Sequence, residues 1–406
     1  MFLMSNAELD DYCWLLEPQA ASWLERLTEQ PRPAISLLKQ LKQDVGNIRA
    51  SLLNQQVVLR KRAQQKFSAA SKMFFTDQAL QQATDELVAR YKAHRFVGLG
   101  LVADLCCGLG GDLAALASRG PVVGVDRDPI VAWLAQHNAQ AVLGATAVVR
   151  TEVADVCEFD LQEIAGLHLD PDRRSAKQRY SQLVGYEPGL DFIQERVRSD
   201  QPLAIKLAPA AVVPDAWETL CEKEWIASRG ECRQQVLWSG SLAVAPGEHA
   251  ATCVSSTIAG TTTVRGKPHL PVPEVVRCCR YLYEPNPAIL AAQLVGAVAE
   301  QYELGACWPQ VAYLTSDHYY DWPGFACFEV LEVLPFDRKR VKALLRQRKI
   351  GQVEVKKRGT QVEPAQLQRQ LQGKEAGQAT LLLAGTSAGV TAVLAQRKAP
   401  EASESP

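Results

Sequence analysis

The chain has 406 residues, 47% of them apolar, with 44 basic and 45 acidic side chains and a formal net charge of −1. That length leaves room for two to three domains, and the apolar content is that of a globular protein. A near-neutral balance excludes strong whole-molecule steering toward nucleic acid, though local basic patches can still act, and no apolar run of about 18 residues is present to suggest a membrane span.

The first residues, Met1 to Met4, are followed by a polar, acidic stretch with no basic segment or cleavage site, which is not the pattern of a secretory signal. Eleven cysteines include the adjacent pairs Cys106-Cys107 and Cys278-Cys279 but no C-x-x-C, and the histidines show no metal spacing. Reduced thiols in a cytoplasmic protein without a bound metal are the expectation.

Residues 1–95 are expected to form a helical region. Leu9, Tyr12, Leu15 and Leu16 suggest one amphipathic helix, and Trp23, Leu24 and Leu27 another. Ile35 to Val45 and Ile48 to Lys66 keep helical spacing, and Thr76 is placed to cap a helix running to Tyr91. Arg60, Lys61, Arg62, Lys66 and Lys72 lie close to Phe67, Phe74 and Phe75. That mixture suits either a phosphate-backbone contact or a helix face packed on the core.

Residues 96–265 alternate short apolar strands with helices, which predicts a mainly parallel sheet. The strand ending at Leu105 runs into Cys106-Cys-Gly-Leu-Gly-Gly-Asp112. Gly108, Gly110 and Gly111 permit a sharp turn with backbone open to a ligand, and the helix after it offers amides to anionic groups. A dinucleotide fingerprint needs a third glycine at position 113, which is Leu. S-adenosylmethionine (SAM) instead suits Asp104, whose carboxylate can meet an α-amino group directly or through water. Val122 to Asp126 ends in an acid sixteen residues after Gly110, the kind of position that bonds a ribose hydroxyl. Asp155, after a third strand, is a weaker candidate for the adenine amine.

These motifs resemble motifs I and II of class I SAM-dependent methyltransferases, with Cys106 where many members have glycine. Leu169-Asp-Pro-Asp-Arg-Arg174 resembles motif IV. Together with Arg62 to Phe67, Phe75-Thr76, Gln82-Ala-Thr84, Ile205 to Pro209 and Ile350 to Arg358, the chain resembles a bacterial family pairing such a domain with a C-terminal THUMP-like domain. The resemblance implies a Rossmann-like α/β sheet after a helical N-terminal region, a small α+β THUMP-like domain over 280–396, SAM as cofactor, and RNA as partner. It assigns Asp104, Cys106, Gly108, Gly110, Asp126 and Asp155 to the cofactor.

Asp170 and Pro171 close the fourth strand, where ligands sit in open α/β sheets. Asp170 is the candidate to orient the acceptor atom, Pro171 stiffens the loop, and Arg173 and Arg174 suit a substrate phosphate. Pyrimidine C5 transfer needs a cysteine nucleophile, and residues 158–220 contain none, so transfer to nitrogen or oxygen is expected. Lys206, ending the fifth strand, is a further possible substrate contact. Glu224 to Ser228 and Cys232 to Trp238 read as a hairpin, and Ala251 to Ser255 as another strand.

Residues 260–273 read as a linker and Tyr281 to Pro287 as a turn. Ala288 to Tyr302 is expected as one helix, with strands near Ala312 to Thr315 and Phe325 to Leu334. A basic helix from Arg338 to Lys349, a strand to Lys357, a helix from Glu363 and two closing strands follow. Residues 337–358 hold ten Lys or Arg against two acids, and Lys356, Lys357 and Arg358 are candidate RNA contacts. Competing readings are a methyltransferase acting on a small molecule or protein, a non-catalytic SAM- or RNA-binding protein of the same fold, and an NAD-dependent oxidoreductase. Oligomeric state is not legible.

Overall fold

A computed structural model describes residues 6–30, 34–144, 149–173, 185–257, 260–308 and 310–398. The chain divides into two compact units, Met1–Cys221 with Val236–Pro246, and Glu222–Gln235 with Gly247–Pro406.

The first unit opens with helices α1 (Asn6–Trp14), α2 (Pro18–Glu29), α3 (Ile35–Ala63), α4 (Asp77–Gln82) and α5 (Glu86–His94). Gly46, at φ 80°, breaks α3 where the sequence pattern also shifts. The helix expected from Thr76 to Tyr91 is instead two. Thr76 caps α4 by accepting from the Ala79 amide, but Asp85 starts α5 afresh by accepting from the Leu87 and Val88 amides. The Lys66 ammonium fixes the break, donating to the carbonyls of Leu80 (2.8 Å), Gln81 (3.0 Å) and Ala83 (2.8 Å). The aromatics of the basic stretch face inward: Phe67, Phe74 and Phe75 are buried, and Arg60 donates to the Met73 carbonyl.

The sheet of this unit begins with β1 (Val102–Leu105), α6 (Gly111–Ala117), β2 (Val122–Asp126), α7 (Pro129–Leu143), β3 (Val149–Val153) and β4 (Gly166–Leu169). A two-residue strand β5 (Asp172–Arg173) pairs antiparallel with β6 (Tyr186–Glu187), and α8 (Leu190–Arg198) leads to β7 (Leu203–Leu207). The strand order is β3-β2-β1-β4-β7, all parallel. The order therefore reverses between β1 and β4, which opens a crevice at their carboxyl ends. One sheet face buries Ala103, Leu105, Val123, Leu167, Leu169, Leu203 and Ile205 in a common core. Because strand side chains alternate, Asp104 and His168 are left on the other face.

β8 (Glu222–Ser228) and β9 (Glu231–Ser239) form the expected hairpin. Arg229 and Gly230 both have positive φ, 53° and 79°, the two-residue turn that suits strand twist. In the second unit β10 (His249–Val254) pairs parallel with β8 and antiparallel with β11 (Thr262–Gly266). The segment expected as a linker thus contains a strand, because its Thr-Thr-Val run suits a pleated edge.

The remainder is a six-stranded sheet of order β13-β12-β14-β17-β16-β15, built from β12 (Tyr281–Pro285), α9 (Pro287–Ala291), α10 (Val295–Gln301), β13 (Leu314–Ser316), β14 (Phe325–Pro335), α11 (Arg338–Gln347), β15 (Ile350–Arg358), α12 (Pro364–Leu371), β16 (Gly377–Thr386) and β17 (Gly389–Arg397). β12 corrects the turn expected at Tyr281. Tyr281, Leu282 and Tyr283 are buried between two partner strands, and that burial outweighs the turn signal of Pro285 and Pro287, which fall at the strand end and at the first position of α9. The single helix expected over 288–302 is broken around Gln293, at φ 60°. α11 and α12 bury Val341, Leu345, Leu367 and Leu371 against β15, β16 and β17.

Candidate active site

The turn after β1 requires its unusual backbone. Gly108 has φ 55° and Gly110 φ 85°. A Cβ on Gly110 would lie 2.8 Å from the Ala135 Cα and carbonyl oxygen, so α7 approaches too closely for any side chain. A Cβ on Gly108 would meet nothing within 4 Å, so this face of the turn is open. Cys106 takes φ 59° although it is not glycine, and such local strain is a feature of functional turns. Burial pushes the Cys106 and Cys107 thiols well up, so neither is a ready thiolate nucleophile.

Asp126 sits at the carboxyl end of β2 beside this turn. One carboxylate oxygen accepts from the Gly108 amide at 3.1 Å and the other from the Asp128 amide at 3.1 Å. Burial outweighs these bonds and pushes its carboxyl up to about 6. Asp155 is exposed and accepts from the Cys157 amide two residues on, a local turn bond.

Asp104 is 0% exposed. Its Oδ1 lies 2.7 Å from His168 Nδ1, and His168 Nε2 lies 2.9 Å from Lys92 Nζ. Lys92, 1% exposed, also pairs with Asp112 Oδ1 at 2.8 Å, and Asp112 Oδ2 accepts from the Thr84 hydroxyl at 2.6 Å. An ammonium has no acceptor capacity, so His168 Nε2 carries the lone pair and Nδ1–H donates to Asp104. Burial raises the Asp104 carboxyl despite the neighbouring His168. Burial also acts upward on Asp112, but the Lys92 and Lys206 ammoniums hold it well below the usual range. Asp104 Oδ2 is fully enclosed and makes no hydrogen bond among the described residues. Such an orphan is costly unless something satisfies it.

At the end of β4, the Asp170 amide donates to the Leu105 carbonyl at 3.1 Å, so β1 and β4 stay together past their last residues. Asp170 Oδ2 pairs with Lys206 Nζ at 2.5 Å. Lys206 donates as well to the Gln82 carbonyl at 3.0 Å, and the Gln82 side chain donates to Asp172 Oδ1 at 2.9 Å. Burial opposes the Lys206 charge, but Asp170 and Asp112 more than restore it and its pKa is raised. Pro171 is buried. Arg173 has its backbone in β5; its side chain and all of Arg174 lie outside the described residues.

The crevice thus gathers Asp104, the glycine turn, Asp126 and Asp170, which lie on or just past the ends of three separate strands. Lys92, Asp112, His168, Thr84 and Gln82 join them; Asp112 and Gln82-Ala-Thr84 fall in sequence motifs without a site role of their own, and Lys92 and His168 fall in none. His168 carries one signal in the sequence, a polar residue inside the apolar run of β4, which demands a buried partner. The candidate RNA contacts are distributed differently. Lys356 and Arg358 both pair with Glu284, at 2.7 and 3.4 Å, while Lys357 is exposed. α11 and the residues after it carry a dense run of cations, with Arg338, Lys339, Arg340, Lys342, Arg346, Arg348 and Lys349 all exposed.

Residues 325–397 match the THUMP domain-like family. An uncharacterised S-adenosylmethionine-dependent methyltransferase of Mycobacterium tuberculosis is 33% identical over 336 residues, covering 80% of this chain and 89% of the relative. The same holds in a second strain of that organism. A crystal structure of a candidate methyltransferase from Porphyromonas gingivalis W83 superposes with a TM-score of 0.73 at 21% identity, covering 98% of this chain and 100% of that one. At that identity the likeness is one of fold.

Proposed function

We propose an RNA acceptor, methylated at nitrogen or oxygen, for this chain, which belongs to the family of S-adenosylmethionine-dependent methyltransferases. The cofactor assignment has support in the site itself. The orphaned Asp104 Oδ2 suits an ammonium or a water held by one, the open face of Gly108 leaves room over the turn, and Asp126 stands where a ribose diol would be bonded. SAM bound there supplies an activated methyl group on a sulfonium.

The acceptor chemistry is assigned to Asp170 with Pro171. In-line methyl transfer depends mostly on positioning, and Lys206 holds Asp170 at the crevice mouth by its ion pair. Asp170 then accepts a hydrogen bond from the acceptor amine or hydroxyl. Arg173 and Arg174 follow after Asp172 and suit a phosphate of the substrate. Asp155 is the remaining candidate for the adenine amine.

The observation that carries the RNA reading is the exposed basic face of α11 within a THUMP-like unit. THUMP domains bind RNA in other modification enzymes. Lys357 extends that set; Lys356 and Arg358, paired to Glu284, contribute less to it.

Incubating the protein with methyl-labelled SAM and separate pools of total RNA, protein extract and small metabolites tests the assignment. Label in RNA, lost on charge reversal along α11, is the expected result. Label only in protein or metabolites makes the acceptor a different class. S-adenosylhomocysteine (SAH) binding without transfer to any pool leaves a binding protein of this fold.

A further inference from the structure

The buried chain Thr84–Asp112–Lys92–His168–Asp104 lies under the glycine turn, and apart from Asp104 its members have no place in the assignments above. Its members come from the α4–α5 loop, α6, α5, β4 and β1, so it is a tertiary construction rather than a local motif. Polar groups this deep are expensive unless every one is paired. Thr84, Asp112, Lys92 and His168 are bonded to one another at 2.6 to 2.9 Å, and Asp104 Oδ1 closes the series at 2.7 Å. Within this series only Asp104 Oδ2 makes no hydrogen bond among the described residues. It belongs to the last strand but one position before the turn, with Leu105, Cys106 and Cys107 between it and the open Gly108.

We propose that His168 and Lys92 are positioning residues for the methionyl end of the cofactor, holding Asp104 in one rotamer and one charge state with its second oxygen kept for the ligand's amino group or a water bound to it. This rests on the cofactor reading above. Lys92 fills the His168 Nε2 lone pair, which forces the Nδ1–H tautomer. Nδ1–H then claims Asp104 Oδ1 alone. Without His168 the carboxylate can turn and share its oxygens with other donors, or take up a proton, and its acceptor capacity toward an ammonium is lost. The adenosine end, served by Asp126 on β2, is untouched by this chain.

That asymmetry gives the test. SAH carries the amino-acid end, as homocysteine; 5′-methylthioadenosine keeps the nucleoside and thioether but lacks the amino acid. Both are titrated calorimetrically into full-length wild type, His168→Leu and His168→Asn, with folding checked by thermal melts. Asn can still donate from the position of Nδ1. The expected result is that His168→Leu loses about tenfold or more of its SAH affinity, the size of one charge-assisted bond, while methylthioadenosine binding is unchanged and His168→Asn keeps most of the SAH affinity. Asp104→Asn, which keeps the shape and drops the charge, shows the same split and serves if His168→Leu does not fold. Parallel losses for both ligands, or no loss for either, overturn the positioning role and leave the chain a structural element. If wild type binds SAH no more tightly than methylthioadenosine, the amino-group contact is wrong while the nucleoside site stands. If wild type binds neither, the cofactor assignment itself fails and the inference falls with it.

Discussion

Asp104 and His168 face each other in register on neighbouring parallel strands, with Nδ1 of the imidazole 2.7 Å from a carboxylate oxygen. They are 64 positions apart in the chain. Parallel pairing brings them together on the sheet face opposite the main apolar core, where the Lys92 ammonium neutralises the buried Asp112 carboxylate.

That neutralisation is measurable as stability. Lys92→Met leaves the Asp112 carboxylate buried without its cation and is expected to cost about 3–5 kcal/mol. Lys92→Met combined with Asp112→Asn recovers part of that loss, because the uncompensated charge is gone. Urea unfolding of the two variants against wild type checks both statements. Equal stability of Lys92→Met and wild type would show the pair to be unimportant.

Asp126 gives a pH signature. Its carboxyl is pushed up to about 6 by burial, above the ordinary value near 4. In the proposed site the ionised form accepts from ribose hydroxyls, so SAH affinity is expected to fall as pH drops below about 6, by at most about tenfold per pH unit. The sign for the ligand-free protein is opposite. Between about pH 4 and 6 the folded state holds the extra proton, so stability declines as pH rises through that window. Asp126→Asn flattens both profiles, read by calorimetry and by thermal melts from pH 4 to 8.

The turn itself separates two glycine-like positions. Gly110→Ala places a methyl 2.8 Å from the Ala135 backbone at φ 85°, and the backbone strain alone costs about 1–3 kcal/mol. Cys106→Gly relieves left-handed strain of about 1–2 kcal/mol and gives up the packing of one small side chain. It is expected to melt within a few degrees of wild type and to keep SAH affinity, whereas Gly110→Ala loses both. Unfolding curves and calorimetry on the two variants decide it.

The α11 face predicts a salt effect. Replacing Lys339, Lys342 and Arg346 together with Glu should weaken RNA binding and flatten the slope of log affinity against log salt by about one for each phosphate that is no longer neutralised. SAH binding should not change. An unaltered slope would make α11 an ordinary solvated helix, anchored by Val341 and Leu345 and nothing more.

Much of the candidate crevice was legible in the sequence because its signals are local. An acid at a strand end, glycines at fixed offsets and a second strand-end acid at β2 are each set by backbone sterics over a few residues. The same local logic placed β7, the β8–β9 hairpin and α11. What the sequence could not settle was the interruption between α4 and α5. Thr76, the helix pattern and the absence of Pro all favour continuity to Tyr91, and only the Lys66 ammonium on three carbonyls, with the Asp85 cap, holds the break. That break delivers Thr84 to Asp112 and Gln82 to Lys206 and Asp172. β12 is illegible for a related reason: two prolines outweigh a buried Tyr-Leu-Tyr strand until its two partner strands are present. By itself the sequence determined a strand, a glycine turn and a second strand-end acid in succession. Only the tertiary structure decided which buried lysine and histidine stand behind Asp104, because parallel register and helix docking are fixed by contacts between distant segments, which no spacing along the chain records.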